Sequence, residues 1–133
     1  MPDAVPEQGQ AIAISHADDS SFKGDGLRSY SEYRDLGVAK ATHGMVQAHV
    51  IRMTEAFRPE LSERHHHQVQ FQMAYVLKGW FATEFEGEGT HVFREGSCWT
   101  QPPGIRHTVR GWSDDCELLE IIMPAEHQTV RDP

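Results

Sequence analysis

The chain has 133 residues, of which 38% are hydrophobic, and this length fits one domain with a core of its own. It carries 20 acidic and 12 basic residues, so its formal charge is −8 when the histidines are neutral. An acidic chain lacks the basic face that binding to phosphate backbones requires, which argues against a nucleic-acid partner. No segment approaches the roughly 18 apolar residues of a membrane span, and none predicts binding to a membrane surface.

The first 30 residues are rich in Pro, Asp, Gln, Ser and Gly and show no periodicity of apolar residues. This composition predicts an irregular N-terminal arm, flexible or ordered on another subunit, before a domain over 31–127 and a tail over 128–133. The apolar run "AIAI" is too short for a signal peptide, so we expect a cytoplasmic protein. Cys98 and Cys116 lack CxxC spacing and predict reduced thiols, with one disulfide as the alternative.

Seven short segments of alternating or continuous apolar residues follow the arm, separated by turns such as "EGEG", "PPG" and "SDD". Helical periodicity is nearly absent. Several short strands at close spacing predict an all-β fold, a sandwich or a barrel. The predicted strands cover 45–53, 72–78, 80–86, 90–95, 97–101, 106–111 and 116–123.

Three consecutive histidines, residues 65–67, form the most unusual feature of the chain. Side chains two residues apart in a strand point to the same face, so His65 and His67 share a face and His66 points away. Two imidazoles in this arrangement can bind one cation. An isolated pair of this kind is more often a solvent-exposed polar edge, so the pair needs support from elsewhere in the chain.

That support comes from two spaced patterns, "PELSERHHHQVQFQMAYVLKG" over 59–79 and "GSCWTQPPGIRH" over 96–107. They resemble the two motifs of the cupin family, G-x5-H-x-H-x3–4-E-x6-G and G-x5-P-x-G-x2-H-x3-N. The second motif is matched at four of its five marked positions, and 16 residues separate Gly79 from Gly96. Three positions depart from the motifs: Pro59 replaces Gly, Gly111 replaces Asn, and Gln72 replaces Glu.

The resemblance implies a double-stranded β-helix, the jelly-roll barrel of cupins, with ligands that project into the barrel. It implies a metal site of His65, His67, Gln72 and His107 that holds one divalent transition metal per subunit, namely Zn, Ni, Fe, Mn or Co. Because Gln72 is neutral, the site carries a charge of about +2 rather than about +1, which favours Lewis-acid chemistry and disfavours oxidation of the metal. The alternative is a site of three histidines that Gln72 does not join.

The expected function is therefore that of a small metal-binding cupin, most simply a non-redox isomerase, lyase or cyclase acting on a small anionic or enolisable molecule. An Fe(II)-dependent dioxygenase and a non-catalytic small-molecule-binding protein are the alternatives. His49 and His91 lie on predicted strands and are weak candidates for a proton shuttle, because imidazole titrates near neutrality. Small cupins commonly pair through their sheets, and the apolar strand over 116–123 suits such a contact, so the resemblance implies a homodimer.

Overall fold

The computed structural model describes residues 9–24 and 28–133. Ten strands dominate it: β1 (Ser31–Asp35), β2 (Gln47–Met53), β3 (His65–Gln68), β4 (Phe71–Lys78), β5 (Trp80–Phe85), β6 (Gly89–Arg94), β7 (Cys98–Thr100), β8 (His107–Trp112), β9 (Glu117–Met123) and β10 (Gln128–Arg131). One short α-helix, α1 (Val38–Ala41), lies between β1 and β2. Two single 3₁₀ turns, Asp19–Ser21 and Pro59–Leu61, complete the regular structure.

The strands form two five-stranded antiparallel sheets. The first has the order β1-β2-β9-β4-β7, and the second has the order β10-β3-β8-β5-β6. Apart from β1–β2 and β5–β6, neighbours in each sheet are not consecutive in the chain, as in a jelly roll, so residues from both ends of the sequence reach one interior. The predicted all-β fold is confirmed, and each of the seven predicted strands is present with bounds within two residues of those expected.

The core lies between the facing sides of the two sheets. Period-two alternation directs one set of side chains inward, and the burial pattern of β4 alternates accordingly. Tyr30, Phe81 and Trp112 pack there with Val76 and Leu118 in one buried cluster. The Trp112 ring stacks on Tyr30 at 4.9 Å and 15°, at the opposite end of β8 from His107.

The final glycine of the first motif, Gly79, makes the tight turn between β4 and β5. Its φ is +69°, a left-handed conformation that favours glycine. A Cβ atom at this position would also collide with the Ser113 side chain and lie 2.5 Å from Asp115 Oδ1. This turn carries the chain directly from one sheet to the other, so the motif's glycine is required by both conformation and space.

The two ends of the chain add to the sheets. Within the N-terminal segment, Lys23 forms a β-bridge with Tyr33, and the Ala11 amide donates to the Ala41 carbonyl at 2.9 Å. Part of the predicted arm, residues 1–8 and 25–27, lies outside the described residues. At the other end, the span expected as a tail contains β10, which pairs with β3 along four residues. The division into arm, domain and tail stays a prediction.

The helices are few and short. Over residues 9–24 and 28–133, no helix has the length and apolar character needed to cross a bilayer.

Candidate metal centre

Three histidines from two neighbouring strands converge inside the sandwich. His65 and His67 lie two residues apart on β3, and His107 opens β8 directly opposite His65 in the strand pairing. The ring centroids of the three histidines are 4.1 to 5.1 Å apart. One nitrogen from each ring lies within 4.8 Å of the other two. Residues that are 40 positions apart in the chain thus form one group of three imidazole donors.

The turn of the second motif docks on the strand of the first. The Gly104 amide, at φ +77°, donates to the His67 carbonyl at 3.2 Å. The Ile105 amide closes the turn on the Pro102 carbonyl at 3.2 Å. Proline fixes one backbone angle here and glycine permits the positive φ, so the turn delivers His107 to the same interior that holds His67.

Hydrogen bonds made by the Nδ1 atoms orient the three rings. His65 Nδ1 donates to the Glu63 carbonyl at 2.7 Å, and His107 Nδ1 donates to the Ile105 carbonyl at 3.1 Å. Because a carbonyl oxygen only accepts, both rings carry their hydrogen on Nδ1 and present a lone pair at Nε2. His67 Nδ1 lies 2.9 Å from Thr129 Oγ1, on β10. Partners of this kind hold the rings of metal-binding histidines in the correct tautomer and orientation.

The three rings are also uncharged near neutral pH. Burial, together with the neighbouring imidazoles of His107 and His65, lowers the pKa of His67 to about 3. Burial, with the repulsion from His65, lowers the pKa of His107 to about 4. Burial also lowers the pKa of His65. Neutral imidazole is the form that binds a metal ion, so the donor set fits a first-row divalent cation.

Gln72 enters the same interior from the opposite sheet, on β4, and is buried. Its amide nitrogen donates to Glu120 Oε2 at 3.0 Å. Its oxygen accepts a long hydrogen bond of 3.4 Å from Gln101, whose own oxygen accepts from Trp99 at 2.9 Å. Gln72 is therefore held in a network beside the three histidines, and its role as a fourth ligand stays a prediction.

Glu120 places a carboxylate one hydrogen bond behind Gln72. It lies on β9, and His49 Nε2 contacts its other oxygen at 2.7 Å. Burial alone would raise the pKa of Glu120, but the hydrogen bonds from His49 and Gln72 outweigh burial and hold the pKa below its usual value. A negative charge thus lies close to the ligand set, although the ligands predicted from the motifs are all neutral.

A cavity of about 600 Å³ contains this group. One part is polar and is lined by the three histidines, Gln72 and Glu120. Another part is lined by apolar and aromatic side chains that include Phe81, Trp99 and Trp112. A mainly apolar cavity with a few convergent polar groups is typical of small-molecule sites, so the interior has room for a metal ion and an organic ligand together.

Comparison with known families decides the identity of the fold. A family model described as a cupin domain matches residues 54–122, which contain all the histidines of the cluster and Gln72. The chain belongs to the cupin family. The resemblance seen in the two sequence motifs is confirmed, and the jelly-roll topology agrees with it. No curated protein matches this cupin significantly.

Solved cupin structures of similar size superpose on most of the chain. The polyketide cyclase RemF from Streptomyces resistomycificus has a TM-score of 0.70 at 17% identity, covering 91% of this chain and 85% of RemF. An RmlC-like cupin from Shewanella frigidimarina has a TM-score of 0.64 at 17% identity, over 88% and 95% of the two chains. KdgF from Halomonas sp. has a TM-score of 0.62 at 16% identity, over 87% and 96%. At identities this low, the structural similarity shows a shared fold and nothing more specific.

The other histidines singled out in the sequence lie in different surroundings. His66 points away from the cluster and pairs with Asp132 at 2.8 Å, as strand alternation predicts. His49 lines the cavity through its contact with Glu120. His91 is exposed on β6, bonded to the Glu88 carbonyl at 3.2 Å, and does not line the cavity. The geometry therefore favours His49 over His91 as a proton carrier.

Glu120, Thr129 and Arg28 are among the cavity residues that were not singled out from the sequence. Glu120 lies in an apolar strand whose sequence, "CELLEIIM", suggests packing only. Thr129 lies in the span expected as a tail, and Arg28 in the span expected as an arm. The motif spacing carries no signal for any of them. Glu120 has one local signal, because the alternation of β9 places this acidic residue on the inward face of the strand.

Proposed function

We propose that this cupin is a metal-dependent enzyme that holds one divalent transition-metal ion per subunit and uses it in non-redox chemistry. The observation that carries the proposal is the convergence of three neutral imidazole nitrogens in a cavity of about 600 Å³. The expected substrates are small anionic or enolisable organic molecules. The expected reactions are isomerisation, elimination and cyclisation, and the shared fold with a polyketide cyclase is compatible with the last of these.

The proposed ligands are the Nε2 atoms of His65, His67 and His107, with Gln72 Oε1 as the fourth. Zn, Ni, Fe, Mn and Co all accept imidazole and carbonyl oxygen, so the set leaves the native metal open. When bound, such an ion acts as a Lewis acid toward a carboxylate, an enolate or a water molecule. Glu120 supports Gln72 in this role, because the Gln72 amide nitrogen donates to Glu120 Oε2, which directs the nitrogen toward Glu120 and leaves the amide oxygen as the atom that binds the metal.

The chain's own residues then supply proton transfer and exclusion of water. We propose His49 as the proton carrier, because its Nε2 contacts a carboxylate inside the cavity. Glu120 orients that ring and stabilises it when it is protonated. The apolar wall of the cavity limits the water that can compete with substrate.

A second candidate is an Fe(II)-dependent dioxygenase. The specific observation in its favour is Glu120, which restores a negative charge close to a neutral ligand set and so reduces the penalty of a higher metal valence. A non-catalytic small-molecule-binding protein is the third candidate, and it would return a bound metabolite unchanged. Turnover under anaerobic conditions with zinc or nickel would support the first candidate, whereas oxygen consumption that requires iron would replace it by the second.

Metal content tests the proposed site directly. We expect untagged wild-type protein to contain about one equivalent of a divalent transition metal by mass spectrometry. We expect the His107→Ala variant to lose most of it, because one of three histidine ligands is removed. His91→Ala is the matched control, since His91 is exposed and outside the cavity. Full metal content in His107→Ala would contradict the proposed site.

We also propose a homodimer in a reducing compartment such as the cytoplasm. Two apolar residues of the N-terminal segment, Ile12 and Ile14, are 85% and 75% exposed, which is costly in a monomer. The outer face of β4 adds the exposed Phe71 and Tyr75. The compartment is inferred from the two unpaired thiols.

A further inference from the structure

The cavity has a cationic side that the metal ligands do not provide. Among the described residues, the lysine and arginine side chains that line it are Lys23 and Arg28. Arg28 Nη2 lies 3.5 Å from His65 Nε2, the nitrogen proposed to face the metal. Over residues 9–24 and 28–133, no carboxylate lies within salt-bridge distance of Arg28. Within the described residues its side-chain hydrogen bond is the long one to His65 Nε2, so this guanidinium beside the histidine cluster can turn to a ligand.

Arg28 and a bound metal ion would be two cations a few ångströms apart. Such neighbours repel each other strongly in an interior of low dielectric constant. An anionic oxygen shared between them removes the repulsion and accepts charge-assisted hydrogen bonds from the guanidinium. The position of Arg28 thus selects for a negatively charged group at the end of the ligand that reaches the histidines.

The far part of the cavity has flat aromatic walls. The rings of Phe81 and Trp99 lie nearly parallel, 5.7 Å apart at 9°, and Phe81 is likewise parallel to Trp112 at 6.4 Å and 9°. All three line the cavity. These rings stack on one another, and a flat conjugated ring of a ligand can extend such a stack better than a puckered saturated one.

A buried hydroxyl lies between these two parts. Thr83 lines the cavity and is 1% exposed, and on β5 it lies between Phe81, which pairs with Trp112, and Phe85, which pairs with His107. Within the described part of the chain, its Oγ1 has no hydrogen-bond partner. A buried hydroxyl without a partner destabilises the folded protein, so a ligand oxygen that reaches Thr83 would recover that loss.

We propose that the cavity binds a flat aromatic or conjugated carboxylate that carries a further oxygen substituent. Its carboxylate lies between Arg28 and the histidine cluster, and its ring lies along Phe81 and Trp99. The additional hydroxyl or keto oxygen meets Thr83. The proposal deepens the proposed function by naming the substrate class, and it rests on that function for the reaction, although its anion preference does not need the metal.

Calorimetric titration with matched ligands tests the charge at Arg28. In metal-free wild-type protein, 2-naphthoate should bind about tenfold more tightly than the neutral 2-naphthamide. The Arg28→Gln variant should lose about tenfold in affinity for 2-naphthoate, keep its affinity for 2-naphthamide within twofold, and leave metal content unchanged. Arg94→Gln is the control, because Arg94 is exposed on β6 and outside the cavity.

The aromatic wall has its own comparison. The saturated analogue, decahydro-2-naphthoate, should bind several-fold more weakly than 2-naphthoate to the same protein. Equal affinity of the saturated and aromatic acids would overturn the assignment of a flat ring. Three results would overturn the assignment of an anion. They are equal affinity of 2-naphthoate and 2-naphthamide, no binding of 2-naphthoate, and an Arg28→Gln variant that binds 2-naphthoate as tightly as wild type.

The Thr83→Val variant separates ligand binding from structure. Removal of an unpaired hydroxyl should raise the melting temperature of the ligand-free protein by about 3 °C. At least one monohydroxy isomer of 2-naphthoate should bind wild type more tightly than the parent acid, and that gain should vanish in Thr83→Val. A gain that persists in the variant, or no gain with any isomer, would overturn this contact.

The outcomes also separate this inference from the proposed function. A protein that binds no metal but shows the Arg28-dependent preference for naphthoate would refute the metal site and support the anion site. A protein that binds one equivalent of metal, but whose affinity for naphthoate does not depend on Arg28, would support the metal site and refute the anion site.

Discussion

Gln72 differs from the family motif by a single amide in place of a carboxylate, and the structure shows where the missing charge lies. Glu120 accepts from the Gln72 amide nitrogen at 3.0 Å and from His49 on its other side. Judged from the ligands alone, the site would be more cationic than in the glutamate motif. With Glu120 included, the charge of the motif is retained but displaced by one side chain, which weakens the case for Lewis-acid chemistry without removing it.

The change Gln72→Glu tests this displaced charge. It would place two carboxylates about 3 Å apart in a buried site, so we expect the metal-free variant to lose about 2 kcal/mol of unfolding free energy or more. Zinc should then raise its melting temperature more than it raises that of wild type. Gln68→Glu, on the exposed end of β3, is the control for adding a charge. A metal-free variant as stable as wild type would show that Glu120 is not ionised there.

The two cysteines provide a second prediction at this scale. Burial, together with the charges of Asp115 and Glu117, raises the pKa of Cys116 to about 12, whereas Cys98 is exposed on β7. At pH 8 Cys116 is therefore almost entirely in its protonated form, and the thiolate is the form that reacts. We expect native protein to take up one maleimide, at Cys98, and unfolded protein to take up two, as measured by intact mass. Two adducts in the native state would contradict the burial of Cys116.

At the scale of elements, β3 is the strand on which the site depends, and both of its neighbours hold it in place. His107 of β8 pairs with His65, while β10 pairs with all four residues of β3. Thr129 of β10 bonds to His67 Nδ1 at 2.9 Å. The C-terminal strand therefore orients a proposed metal ligand as well as closing the edge of the sheet.

The change Thr129→Val removes that hydrogen bond while it keeps the shape of the side chain. We expect metal affinity to fall by about 10- to 100-fold, as is usual when the partner of a metal-binding histidine is lost, with little change in the melting temperature of the metal-free protein. Thr129→Ser keeps the hydroxyl and should retain most of the affinity. Competition with a zinc indicator measures the metal affinity of both variants. Equal losses of affinity in Thr129→Val and Thr129→Ser would show that packing, and not the hydrogen bond, is responsible.

Asp132 fastens the end of β10 through its contacts with His66 at 2.8 Å and Arg106 at 3.2 Å. The hydrogen bond from His66, followed by that from Arg106, lowers the pKa of this carboxyl below its usual value of 3.8. A group with a depressed folded pKa stabilises the protein above its unfolded pKa and loses that effect as the pH falls through the folded pKa.

We therefore expect Asp132→Asn to lower the melting temperature at pH 7, with a difference from wild type that shrinks as the pH falls below about 4. Thermal unfolding across pH 3 to 7 measures it. Asp114→Asn, in an exposed turn, should show no such pH dependence. A difference that stays constant with pH would mean that the charge of Asp132 does not contribute.

At the scale of the whole molecule, the outer face of the first sheet is apolar. Tyr75 pairs with Leu119, and Met73 pairs with Ile121, so these four side chains share the face that points away from the cavity. Tyr75 is 37% exposed. Burial of such a face against a second copy through a two-fold axis would explain its composition.

Sedimentation tests the assembly. We expect wild-type protein to sediment at twice the 15.1 kDa mass of the chain, and Tyr75→Glu to shift it toward the monomer, because a charge would be buried in the interface. Val92→Glu places the same charge on the exposed strand β6 of the other sheet and should leave the dimer intact. A wild-type monomer at micromolar concentration would contradict the homodimer.

Most of the strands and the three converging histidines followed from local patterns, because alternation, turn residues and motif spacing act over a few residues and survive in the linear order of the chain. Three further positions did not follow from local patterns. They are those of Glu120 behind Gln72, of the Thr129 hydroxyl beside His67, and of Arg28 beside His65. The contacts concerned join residues 48, 62 and 37 positions apart, so they depend on strand register and on how the two sheets face each other. The sequence alone thus predicted the family and the candidate metal ligands. The charge and shape of the cavity around those ligands depend on the tertiary structure, because both ends of the chain fold onto the two sheets.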